Sequence, residues 1–347
     1  MTTLPNIGIM IDSGKCGFHG GARAIVEEAQ WAETAGFQSV WVGESRLTVD
    51  AMVPISLIAA GTSRIKVGSG VLPYRTRNVA LLALAFKTLE MLAPGRIRLG
   101  LGAWWEPLAS QTGLPNIKPL KAMREIVTVV SNLLKGETVT YQGEFVNVDR
   151  IRFDGPSDDE RRVYQIPIFI GAVRPRMVEL AGEVAEGVLL DFLLPPSYTV
   201  AAIKQAELGA KKADKNFCSF QVPQLIGYLA DDTHPEDTIK ECKAFLTQYI
   251  AQQPHIAEYC GADPDLVERV RCDAKWPATK LEIENAMRHV PDSLVRSVTA
   301  CGTISQALSK IEEWVDAGCS EPILTALGSN PIRGLEALAR KAGISAE

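Results

Sequence analysis

The chain has 347 residues, 46% of them hydrophobic and 22% charged, a mix that excludes disordered, collagen-like and fibrous proteins. Its formal net charge is −5, from 36 Lys and Arg against 41 Asp and Glu, and no like-charge run is longer than Asp158-Asp159-Glu160; this argues against nucleic acid as a partner. Seven cysteines form no CxxC pair and are odd in number. Neither a disulfide framework nor a zinc module is therefore expected, and a reducing, cytoplasmic setting fits. No basic-then-apolar leader opens the sequence and no stretch of about 18 uninterrupted apolar residues occurs, which predicts a chain that is neither secreted nor membrane-spanning.

Short apolar runs rich in Val, Ile and Leu alternate with helical periods, the sequence form of repeated βα units. The first run is Ile7-Gly8-Ile9-Met10-Ile11; a loop then leads to a helix over 22–35, stopped by Gly36. Strands are expected at 39–43 and 65–71 and helices at 52–60 and 79–92, and Ala93-Pro94-Gly95 turns into a fourth strand at 97–102. Regularity then breaks: 103–165 holds one helix, 120–134, and a hairpin, 138–141 with 145–148, and reads as an excursion from the repeat. The rhythm resumes with strands at 167–171, 187–191 and 221–229 and helices at 177–185 and 199–213. A polar, helix-rich stretch, 235–290, precedes a last helix at 304–317 and strand at 323–326. Eight strands, each followed by a helix or enough chain to hold one, predict an α/β fold, the (β/α)8 TIM barrel. One domain is expected over 1–347, with insertions after strands 4 and 7 at about 103–165 and 231–300. A doubly wound open sheet is the competitor; it needs a Gly-rich fingerprint after an early strand, and Gly100-Leu101-Gly102 lacks the third glycine.

In such a barrel chemistry sits at the carboxyl ends of the strands. The residues there are Asp12, Glu44-Ser45-Arg46, Gly70-Val71, Trp104-Trp105-Glu106, Gly171-Ala172, Asp191-Phe192 and Tyr228. No HExxH, GxSxG or P-loop is present, and His19, His234, His255 and His289 are scattered, which disfavours metal hydrolysis and serine or cysteine acyl transfer. Glycine and aromatics are what these ends offer. Gly68, Gly70, Gly100, Gly102 and Gly171 would leave backbone open to a flat ligand, with Trp104 and Trp105 as an apolar wall; the plainer reading is that glycines end strands because the chain must turn. Pro175 at a helix start would aim free N–H groups at an anion, to which Arg174 adds charge or merely faces solvent.

Three strings, Val67-Gly68-Ser69-Gly70-Val71, the segment 94–102 and Ile166-Pro167-Ile168-Phe169-Ile170-Gly171-Ala172, resemble the bacterial-luciferase-like superfamily, which uses FMN or the deazaflavin coenzyme F420. Within it the segment 181–189 and Gly113-Leu114-Pro115 resemble most the deazaflavin-dependent methylene-tetrahydromethanopterin reductase branch. The resemblance implies a non-proline cis peptide at Gly70-Val71 behind the deazaflavin ring, and a cofactor phosphate on the backbone of Gly171, Ala172 and Val173. It also implies a homodimer formed through the helices next to the early strands. The cofactor set expected on this basis is Gly68, Gly70, Val71, Gly102, Trp104, Gly171, Ala172, Val173 and Arg174. Two departures stand out: Met10 and Trp105 align with acidic residues of the branch, and Arg174 replaces a glycine of its phosphate loop.

The expected reaction is hydride transfer between C5 of coenzyme F420 and a small organic substrate, a carbonyl or a methylene-tetrahydropterin- or folate-like iminium. Asp12, Glu44 and Glu106 are the candidate catalytic carboxylates, because each falls at a strand's carboxyl end. Trp105, Asp191, Phe192 and Tyr228 are the candidate substrate contacts, and no metal is expected. Two alternatives remain open: an FMN-dependent luciferase-like monooxygenase, and a binding protein that keeps the barrel without redox chemistry.

Overall fold

The computed structural model describes residues 6–11, 22–44, 47–154, 163–328 and 331–344. Its strands are β1 (Gly8–Ile11), β2 (Ser39–Val42), β3 (Lys66–Ser69), the short β4 (Leu72–Pro73), β5 (Ile97–Gly102), β6 (Val139–Gln142), β7 (Asn147–Ile151), β8 (Ile168–Ala172), β9 (Gly187–Leu190), β10 (Pro223–Ala230), β11 (Thr299–Gly302) and β12 (Glu321–Ala326). Eight of them close a parallel ring in the order β1, β2, β3, β5, β8, β9, β10, β12 and back to β1. This is the expected (β/α)8 barrel. Strands such as β2 and β5 are buried along their whole length, as apolar runs covered on both faces must be.

The helices are α1 (Ala22–Ala35), α2 (Met52–Gly61), α3 (Val79–Leu92), α4 (Leu108–Gln111), α5 (Pro119–Leu134), α6 (Pro175–Val184), α7 (Pro196–Lys212), α8 (Pro235–Gln252), α9 (Pro254–Cys260), α10 (Pro264–Asp273), α11 (Lys280–Ala286), α12 (Asp292–Val298), α13 (Ile304–Asp316) and α14 (Pro331–Ala342). Their starts are written locally. Asn78 accepts hydrogen bonds from the N–H groups of Ala80 and Leu81 to cap α3, and Thr303 with Gln306 forms a capping box on α13. Proline occupies the first turn of α5, α6 and α7, where its missing N–H costs nothing. None of these helices is long and apolar enough to cross a membrane.

Two elements differ from the sequence expectation. Helix α5 packs against both α3 and α6, so it takes the fourth place in the outer ring; the departures from a plain βα unit in 103–165 are the loop bearing α4 and the hairpin β6–β7. Strand β11 was not expected. It pairs with Gly227–Ala230 of β10, on the side where the ladder between β9 and β10 is the single pair Leu190 and Gln224, and thereby continues the pairing of β10 beyond it. Its four residues, Thr-Ala-Cys-Gly, are too short and too weakly apolar to register as a period.

The amino ends of the strands carry a buried polar network on the side of the barrel opposite the site. Arg98 of β5 pairs with Glu321 of β12, both almost wholly buried. Glu321 also accepts hydrogen bonds from the Ser39 hydroxyl and from the Trp41 indole N–H at 3.0 Å, and the Arg98 guanidinium lies 5.5 Å from the centre of the Trp41 ring. Ser39, Arg98 and Glu321 come from the second, fourth and eighth barrel strands, the even set that supplies a layer of side chains to a TIM-barrel interior.

Candidate active site

At the carboxyl ends of the strands a cavity of about 800 Å³ opens, within the range of small-molecule and cofactor sites. Its floor is Met10, Gly70, Val71, Gly102 and Gly171. The Gly70-Val71 peptide is cis, and the Val71 side chain fills the space that side chains at the two neighbouring strand ends would need: a Cβ at 102 would overlap Val71 Cγ2, and one at 171 would lie 2.9 Å from Cγ1. These two glycines are explained by Val71 and not by a turn. Ser69 locks the same stretch to β5, its hydroxyl donating to Gly100 O at 2.9 Å and accepting from Gly100 N at 2.8 Å.

One side of the cavity is the β8–α6 turn, with Ala172, Val173 and Arg174. No side chain caps the start of α6, and the Tyr198 hydroxyl from α7 donates to Val173 O, fixing the turn. A helix start with uncapped N–H groups is a place for an anion. Next to it, after the end of β5, the strand paired with β8, stand Trp104 and Trp105. Their indole N–H atoms are buried without a hydrogen-bond partner among the described residues, an expense that a bound acceptor would remove.

Of the three expected catalytic carboxylates, Asp12 lies outside the described residues. Glu44 reaches the cavity, but its carboxylate is held by Arg77 in a two-pronged ion pair, 2.7 and 3.0 Å, and accepts from Ala51 N at 3.1 Å. Glu106 also lines it; it accepts from the backbone N–H groups of Asn116 and Ser110, and these bonds hold its carboxyl below the usual range. Both groups staple loops. Asp191, expected as a substrate contact, is the carboxylate with the other property: burial pushes it up to about 6, against the pull of the Phe192 N–H at 2.7 Å.

Phe192 lines the cavity and stacks edge-on against Phe245 and Tyr249 of α8, each with centroids 5.5 Å away. Two expected residues do not reach the cavity. Gly68 is inside the barrel, where a Cβ would come 2.6 Å from the Trp41 ring. Tyr228 is buried, with its hydroxyl committed to Gly334 O of α14 at 2.8 Å; a strand-end position was a sound guide to depth but not to which way the side chain leaves the strand.

The sequence reading missed the roof. The segment after β10 brings Tyr249 and Gln252 of α8, His255 and Glu258 of α9 and Arg271 of α10 over the cavity. Burial first, and then the neighbouring Arg174 charge, pull the His255 imidazole below its usual range, while Glu258 acts the other way. The available signal was the break Gln252-Gln253-Pro254-His255 inside a helical stretch, where polar side chains cluster at a helix junction.

The family model for luciferase-like monooxygenases matches residues 3–321. A 5,10-methylenetetrahydromethanopterin reductase of Methanolobus tindarius is 30% identical over 329 residues, 91% of this chain and 94% of its own. An F420-dependent glucose-6-phosphate dehydrogenase of Microbacterium testaceum is 30% identical over 210 residues, 56% of this chain and 60% of its own. Among solved structures, the coenzyme F420 dependent tetrahydromethanopterin reductase of Methanopyrus kandleri superposes with a TM-score of 0.83 at 24% identity, covering 96% of this chain and 97% of that one. The chain belongs to the luciferase-like monooxygenase family.

Proposed function

We propose that the protein is an F420-dependent oxidoreductase that moves a hydride between the deazaflavin and a small organic substrate with an electrophilic carbon, a carbonyl or an iminium. The observation that carries this reading is one cavity holding an apolar floor built around Val71, an uncapped helix start and a carboxyl that keeps its proton to about pH 6. The relatives support it: two of those described carry F420 in their names. The site also fits the group. A flat ring suits the glycine-framed floor, a phosphate suits the α6 start, and acceptor atoms on the ring edge suit the unpartnered indole N–H groups of Trp104 and Trp105.

When bound, a reduced deazaflavin supplies a hydride from C5. The chain's share is then orientation, water exclusion and proton supply. Gly70, Val71, Gly102, Gly171, Ala172 and Val173 hold the cofactor, with Trp104 beside it; Trp105 and Phe192 wall the substrate. Asp191 gives a proton to a carbonyl oxygen as the carbon takes the hydride, and regains it from solvent; an iminium becomes an amine with the hydride alone. Glu44 holds the Ala51 N–H directly and pairs with Arg77, so its carboxylate is committed to the loops around the site. We further propose a cytoplasmic homodimer. Helix α2 is apolar around its circumference, and Val53, Leu57, Leu81, Leu84 and Met91 leave an exposed apolar face along α2 and α3, which water does not favour.

Titration of cofactor-stripped protein with oxidised coenzyme F420 and, separately, with FMN, read by fluorescence, tests the assignment. Binding of the deazaflavin in preference to FMN is expected. Preference for FMN would overturn it in favour of an oxygen-dependent monooxygenase fed by a flavin reductase.

A further inference from the structure

We infer that Cys242 and Cys301 form a peroxide-sensitive dithiol, which oxidation converts to a disulfide that fastens helix α8 of the roof to strand β11. The inference needs no particular cofactor or substrate. Helix α8 packs on β11, and its placement is fixed right beside the pair, where the Gly302 N–H donates to the Thr238 hydroxyl at 2.8 Å. Cys242 comes four residues after Thr238, one turn further along the same helix face, and Cys301 immediately precedes Gly302. The two thiols are hydrogen-bonded to one another, and the Thr299 hydroxyl stands 3.5 Å from Cys301 Sγ.

A buried cysteine is an inert, small apolar side chain unless its surroundings favour the thiolate. Around Cys301 they do. The hydrogen bond with Cys242, then the Thr299 hydroxyl and the Arg296 charge, hold its thiol below the usual range against burial and Asp292. The same hydrogen bond, followed by burial, drives Cys242 up. The negative charge of the pair therefore sits on Cys301, which also keeps a trace of exposure, 5%, where Cys242 has none. Cys260 and Cys319 are the contrast: burial leads the causes at both and raises them.

With hydrogen peroxide as oxidant, the Cys301 thiolate attacks one oxygen and the O–O bond breaks. Hydroxide leaves and takes up a proton as water, and Cys301 becomes a sulfenic acid. The Cys242 sulfur then attacks that sulfur; the S–S bond forms as the S–O bond breaks, and the departing hydroxide takes the Cys242 proton. Two thiols and one peroxide become one disulfide and two waters, two electrons passing from sulfur to oxygen. Phe245 and Tyr249, one and two turns beyond Cys242, stack on Phe192, and Tyr249 and Gln252 line the cavity. A covalent tie at Cys242 thus restrains the roof over the site.

The test treats the full chain with a few equivalents of hydrogen peroxide, blocks remaining thiols by alkylation and maps the peptides by mass. A loss of about 2 Da and a peptide joining Cys242 to Cys301 are expected before sulfenic acid collects at the exposed Cys218 and Cys272, and dithiothreitol should restore both thiols. Cys242→Ser should stop at the Cys301 sulfenic acid, trapped by dimedone, and Cys301→Ser should leave the Cys242 thiol intact. Amide hydrogen exchange in α8 should slow about threefold or more on oxidation of the wild type and not of Cys242→Ser. A wild type in which Cys218 or Cys272 oxidises first, or in which the pair joins only in urea, overturns the dithiol whether or not the variants fold. So does Cys242 oxidation as fast in Cys301→Ser as in the wild type. A disulfide that leaves α8 exchange unchanged overturns the restraint on the roof.

Discussion

The packing of Val71 between two strand ends can be measured with four proteins. A methyl at position 102 would overlap Val71 Cγ2 but stand 3.4 Å from Val71 Cβ, an ordinary contact. Gly102→Ala is therefore an overpacking change only while Val71 keeps its γ carbons, and it is expected to cost about 1–3 kcal/mol. Val71→Ala, at a half-buried side chain facing the cavity, removes two methyl groups and should cost about 1 kcal/mol. In the double variant the overlap is gone, so it should be more stable than the sum of the singles by about 1–2 kcal/mol. Urea unfolding followed by circular dichroism reads this, provided the four m-values agree. Titration with oxidised deazaflavin adds a second axis: Gly102→Ala pushes Val71 into the cavity and weakens binding, and the double variant regains part of it. Additivity within about 0.5 kcal/mol would refute the reasoning, because the space before Gly102 would then belong to something other than the Val71 methyls.

Asp191→Asn should lower reduction of a carbonyl substrate by about 10²–10⁴-fold and abolish the decline in rate as pH rises through about 6, whereas Glu44→Gln should keep that decline; a profile lost in Glu44→Gln and kept in Asp191→Asn would move the proton to Glu44. The same residue shapes stability. A carboxyl raised to about 6 in the fold ionises first in the unfolded chain, so stability falls as pH climbs from about 4 to 6, and unliganded Asp191→Asn should show a shallower fall over that window in pH-stepped urea melts. Glu321→Gln strands the buried Arg98 charge and should cost about 3–5 kcal/mol in the same assay; a cost below about 1 kcal/mol would mean that the charge finds another partner. Leu81→Glu with Leu84→Glu should convert a dimer to a monomer in light scattering, and a wild type that is already monomeric would remove the proposed interface.

The sequence and the fold agree where the signal is local. Helices 22–35 and 79–92 match their observed bounds because apolar period, Gly36 and the Asn78 cap all act within a few residues. Strand ends were legible too, which is why Gly70, Gly102, Trp104, Gly171 and Asp191 meet in one cavity. What was not legible is non-local. Whether a glycine faces a ligand or a neighbour depends on Val71, Trp41 or Ser69 from another strand, and the fate of Glu44 depends on an arginine 33 positions away. The raised Asp191 carboxyl depends on depth, which no single residue announces. The roof residues sit on helices whose period says only that they are amphipathic, not which barrel end they cover.

The pairing of Arg98 with Glu321 has a bearing on how the chain reaches its native state. The two are separated by 223 positions, so during synthesis the arginine is made long before the carboxylate that neutralises it. A sheet that has assembled from the first strands cannot bury Arg98 dry without leaving a bare charge in its interior. The strand that closes the ring, β12, is also the one that carries the neutralising carboxylate, so in the native barrel closure and neutralisation of that charge are one and the same contact. A barrel arrested one strand short is thereby kept from settling into a compact, falsely finished form.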